Sequence, residues 1–221
     1  MAYGFVESEG EILGLLDADE RGVVVDGLRQ VDALLATADG DGDDGLESML
    51  AQLEAHVTGE AGRSGADDAD LEERDPALRR LLPAGHRDDE EAAREYRRMT
   101  EAGLVRGKRA TIARALDALT AAPEIDPGRV HRAYPDLDVD LDDVRPLVLD
   151  ATQGSALLVA LTDLRLVLAE RLGLRTDDDA DRLVDEMRDA DPDDPRTFLV
   201  AVYDFLGWFQ ESLVQTLTEV G

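Results

Sequence analysis

The spacing of apolar and polar positions changes character once, near Asp17. Before it, "YGFVESEGEILGLL" carries two short apolar runs around Ser8 to Gly10, a pattern that predicts a small N-terminal β-hairpin. After it the period becomes helical. Asp17 and Glu20 form a capping box, and Val24, Leu28, Val31, Leu34 and Leu35 then recur at three- and four-residue steps. A second helix is expected on Leu46, Met49, Leu50, Leu53 and Val57, all of which fall on one face. Between them "TADGDGDDG" reads as an acidic loop. "GEAGRSGADDADLEE", residues 59–73, is Gly-rich and charged with little to bury, so it reads as an acidic flexible linker.

Further along, Asp75 and Pro76 start a short helix as N-cap and first helical residue, and Pro83 stops it. Asp88 and Glu91 form another capping box, which opens a long helix continuing through, or bending at, Gly103 and Gly107. Residues 121–143, with three prolines and many aspartates, read as a loop. Leu157, Leu158, Leu161, Leu164, Leu168 and Leu172 then draw an apolar stripe that ends at Gly173 as a C-cap. A short acidic helix is expected from about Thr176 and a final one from Pro195 through "FLVAVYDFLGWFQESLVQTL". The pattern predicts a mainly α protein: a single helical-bundle domain over residues 1–221 with a small N-terminal hairpin.

Composition narrows the function. With 221 residues, 43% of them hydrophobic, the chain can bury one substantial core. Its net charge of −28 opposes a grip on DNA or anionic lipid, which rests on clustered Lys and Arg. Direct nucleic-acid binding is therefore not expected, and a protein partner is. A homodimer stays open. No cysteine is present, which excludes disulfides, thiolate nucleophiles and thiol redox sensing in this chain. The start "MAYGFVESEGE" lacks the positive charge and apolar core of a signal peptide, and "SALLVALTDLRLVLAERLGL" is too interrupted by charge to span a membrane. A cytoplasmic location is expected. Asp outnumbers Glu by 33 to 18 and asparagine is absent, a bias that fits a GC-rich genome and adaptation to salt.

Candidate chemistry is sparse. Asp39, Asp41 and Asp43 begin like a calcium-binding EF-hand loop, but Asp44 stands where its glycine belongs and Leu50 where its bidentate glutamate belongs. "GLVRGKRAT" is one residue too short for a phosphate-binding loop and has Arg109 in place of the magnesium-holding Ser or Thr. His56, His86 and His131 stand in no metal-ligand spacing. No GxSxG elbow occurs, so neither a catalytic residue, a cofactor nor a metal is assigned.

Three features remain. Arg94, Arg97, Arg98, Lys108 and Arg109 would share an arc of roughly 120° on a straight helix and form a candidate partner-binding face. Val105, Ile112 and Leu116 project into the same sector, which favours pairing of these cations with carboxylates of the same chain. Asp163, Arg165, Asp204 and Glu211 are charged groups within apolar helices. Asp163 or Asp204 paired with Arg165 or Arg171 would make either a core-pinning network or the floor of a pocket. Tyr203, Phe205, Trp208 and Phe209 form an aromatic end that is either core or docking surface.

The blocks "DPALRRLLPAGHRDDEEAAREYRRMTEAGLVRGK", "LTDLRLVLAERLGL" and "YDFLGWFQESLV", with the opening "GFVESEGEILGLLDADERGVVVDGLRQVDALLA", resemble an actinobacterial family long catalogued as a domain of unknown function. Some members are labelled AosR, an oxidative-stress transcriptional regulator. That resemblance implies a regulator acting on a sigma factor or other transcription component, with a cysteine pair as sensor. This sequence departs by having no cysteine, so only the partner-binding role carries over. Thr162 also stands where the family's "LND" form of its block has asparagine. The expectation is a non-enzymatic cytoplasmic regulatory or adaptor protein working through protein contacts. The alternative is an enzyme or small-ligand binder with a carboxylate-arginine pocket.

Overall fold

The computed structural model describes residues 3–38, 75–83, 90–136, 144–187, 190–191 and 194–220, with the backbone alone over 90–99. The helix expected on Leu46 to Val57, the linker at 59–73, Asp88 of the second expected capping box, and His56 and His86 lie outside the described residues.

The hairpin forms as its pattern predicts. Strands β1 (Tyr3–Ser8) and β2 (Glu11–Asp17) pair antiparallel, with Ser8 opposite Glu11. Glu9 and Gly10 close the two-residue turn with φ of 57° and 83°, the double left-handed geometry whose twist matches a hairpin. Glu9 adopts it without being glycine. Its carboxylate is held by Arg132, at 3.1 Å, and by Arg129, at 3.6 Å.

A third strand, β3 (Val144–Leu149), pairs antiparallel with β2 from Ile12 opposite Leu149 to Asp17 opposite Val144, giving the order β1-β2-β3. The apolar pattern of the sequence does not announce this strand. Pro146 in "VRPLVL" argues against a strand, yet β3 lies at the sheet edge, the place in a sheet where proline is tolerated. Central β2 is buried on both faces, which explains the unbroken "ILGLL" in an antiparallel sheet. Ile12 and Leu16 enter the principal core with Leu147 and Leu149, while Leu13 and Leu15 meet Val144, Val130 and Tyr134 in a smaller one.

Among the described residues seven helices pack around the sheet: α1 (Ala18–Ala36), α2 (Pro76–Leu81), α3 (Glu90–Thr120), α4 (Pro127–Ala133), α5 (Ala151–Leu172), α6 (Asp177–Met187) and α7 (Pro195–Val220). The protein is mainly α. The Asp17–Glu20 capping box is present at α1, Asp75 caps α2, and Gly173 ends α5 at φ 77°. α3 runs through Gly103 and Gly107 as one helix, and both glycines face open space.

The segment read as a loop over 121–143 contains α4. Asp126 caps it and Pro127 is its first residue, but only Val130 is buried, so two turns leave no periodic trace. Tyr134, just beyond, donates its hydroxyl toward the carbonyls of Gly4, at 2.7 Å, and Leu13, at 2.8 Å, and so pins α4 to the outer face of the sheet. On the inner face α5 is the central helix, in contact with α1, α2, α3 and α7. α7 also packs on β1, where Phe209 meets Phe5 with ring centroids 4.6 Å apart.

Candidate functional site

The basic residues expected to form a binding face turn inward where they are described. Lys108 donates from Nζ to Asp163 Oδ1 at 2.7 Å, with the two side chains 20% and 5% exposed. Arg109 donates from Nε to Asp32 Oδ1 at 2.9 Å. Both pairs tie α3 to its neighbours, α5 through Asp163 and α1 through Asp32. The side chains of Arg94, Arg97 and Arg98 lie outside the described residues.

Asp163, Arg165, Asp204 and Glu211 do not converge on one cavity. Asp163 faces α3 through Lys108. Arg165 lies over the Tyr203 ring at 4.9 Å and donates to Gln210 Oε1 at 2.8 Å. With Glu211, Gly207, Gln210 and Val214 it lines an open recess of about 510 Å³. Gln210 in turn donates to Thr162 Oγ1 at 2.7 Å. Asp204 is exposed, and Arg171 pairs with Asp75 at the start of α2. The aromatic end divides as well: Phe209 is fully buried, Phe205 stacks on it at 5.5 Å, and Trp208 remains 44% exposed.

Two further features carry the architecture. Arg21 on α1 is a buried cation. Its guanidinium donates to the carbonyls of Leu119 in the last turn of α3 and of Arg145 on β3, the latter at 2.6 Å. Burial, and then repulsion from Arg145, push its pKa below the usual value. The dipole at the end of α3 favours a cation there. The sequence signal was an arginine on the face of α1 that also carries Val24, Val25 and Leu28.

The second is a groove. Along α1 the residues Ala18, Gly22, Asp26, Gln30 and Leu34 recur every fourth position, and with Asp19, Val23 and Gly27 beside them they form one wall. α5 supplies Leu164, Val167, Leu168 and Arg171, and the start of α7 supplies Phe198, Leu199 and Val202. The cavity measures about 1050 Å³. Its floor is set where α1 and α5 cross, since a methyl group on Gly27 would stand 2.9 Å from Leu164 Cδ2. Five residues earlier Gly22 has open space beside it, and Phe198 stands 59% exposed on the facing wall. The apolar lining comes from three helices distant in sequence, so periodicity on any one of them does not disclose it.

Among the described residues no group of His, Asp and Glu gathers as a metal site, and no helix is long and apolar enough to cross a membrane. Fold and site define a mainly helical protein with a small antiparallel sheet and an open apolar groove along its first helix. The family model described as "Domain of unknown function (DUF2017)" matches residues 2–217, and the chain belongs to that family. No curated protein and no solved structure matches it.

Proposed function

We propose that this chain is a non-enzymatic regulatory or adaptor protein that binds another protein in the groove along α1. The carrying observation is the groove itself. It is apolar at its centre and charged at its rim, the arrangement of a protein-docking surface. The resemblance to oxidative-stress regulators directs the choice of partner toward a sigma factor or another transcription component. With no cysteine, any regulation here works by occupancy of the groove and not by thiol oxidation.

The test is affinity capture on tagged full-length protein, wild type against Gly22→Phe, with quantitative mass spectrometry. A Cβ at Gly22 meets nothing within 4 Å and the residue lines the groove, so phenylalanine is the substitution chosen to fill it. A sigma factor or RNA polymerase subunit retained by the wild type and depleted at least about tenfold on the variant supports the reading. Equal retention by both, or a small apolar molecule co-purifying with the wild type alone, overturns it.

A further inference from the structure

We infer that the groove takes an amphipathic helix from a partner protein, and that the polar face of this helix is basic. The inference rests on the docking role proposed above and adds the chemistry of the docked segment. Length comes first. The α1 wall runs from Ala18 to Leu34, sixteen residue steps, or about 24 Å of helix axis. That matches four to five turns of a second helix better than a compact metabolite. Surface comes second: Leu34, Leu168, Val202 and Phe198 offer apolar walls, and Gly22 lets a helix approach closely.

Charge decides between occupants. Asp19 and Asp26 are exposed at the rim. Among the described residues Asp26 meets the exposed Arg29 on its own helix, at 3.3 Å, a contact that neutralises little. Arg171, the one cation among the described residues that line the groove, is bound by Asp75. A cationic helix would therefore be attracted at the rim and steered from a distance by the net charge of −28. A second copy of this chain carries the same excess of negative charge. The chain's own residues 39–74 hold 12 Asp and Glu against two Arg, so they too match the rim poorly.

The probe is a labelled synthetic peptide of about 16 residues, leucine on one helical face and lysine on the other, followed by fluorescence anisotropy. A second peptide has glutamate in place of lysine. Full-length wild type should bind the leucine-lysine peptide at least about tenfold tighter than the leucine-glutamate one. Gly22→Phe and Phe198→Ser, which leave the net charge unchanged, should each weaken that binding about tenfold while keeping the wild-type melting temperature within a few degrees. Asp19→Lys with Asp26→Lys should narrow or reverse the preference.

If the glutamate peptide binds as tightly at the same groove, the basic-helix inference fails while the docking role stands. If both groove variants bind the lysine peptide like wild type, the contact is charge elsewhere on the surface, and the inference fails with the groove. Wild-type dimers that Gly22→Phe dissociates would assign the groove to a second copy instead. Binding that appears only with Leu50→Asp and Leu53→Asp would assign it to the chain's own segment.

Discussion

Arg21 carries a positive charge into the core with backbone carbonyls as its partners at Leu119 and Arg145. Replacing it by methionine keeps much of the volume but leaves those carbonyls facing an apolar chain. Arg21→Met should lower unfolding stability by about 2–3 kcal/mol in urea titrations, with the slope against urea unchanged. The two glycines of α1 make a paired test of the groove geometry. At Gly22 an added methyl group meets nothing, so Gly22→Ala should stabilise by about 0.5–1 kcal/mol through helix propensity alone. At Gly27 the same methyl group presses on Leu164, and that variant should fall at least about 1 kcal/mol below Gly22→Ala. Equal values would mean that α1 and α5 do not cross as described.

At the scale of elements, Asp75 caps α2 and receives Arg171 from α5, so it fastens two helices through one carboxylate. That hydrogen bond from Arg171 is the largest influence holding its pKa below the ordinary 3.8. A carboxylate depressed in the folded state adds stability that is fully present above its unfolded value. The contribution is lost as pH falls below that value and through the lower folded one. Asp75→Asn preserves the cap but not the charge, and should flatten the loss of stability measured between about pH 5 and pH 2.

Elements were legible where a capping residue met a periodic stripe. Asp17 with Val24 to Leu35, and Leu157 to Leu172 with Gly173, both form the helices their pattern predicts. β3 and α4 were not, because a strand holding Pro146 and a two-turn helix burying one side chain carry no period. The ion pairs were legible in kind but not in partner. Lys108 to Asp163 and Arg109 to Asp32 join residues 55 and 77 positions apart, a match that only the packing of α3 on α5 and α1 decides.

For the whole molecule, a net charge of −28 makes folding a compression of like charge. Raising sodium chloride from about 0.05 to 0.5 M should therefore raise the melting temperature by several degrees, before any specific ion effect, because screening relieves that repulsion. A flat or falling curve would mean that the internal ion pairs outweigh it. The Lys108 pair also has a consequence for chemistry at this one site. Lys108 is the chain's only lysine, and its ammonium is engaged by a nearly enclosed aspartate. Acylation of that single side-chain amine by a water-soluble reagent is thereby tied to how often the ammonium leaves Asp163, so one rate, followed by mass, becomes a clock for opening of the pair that joins α3 to α5.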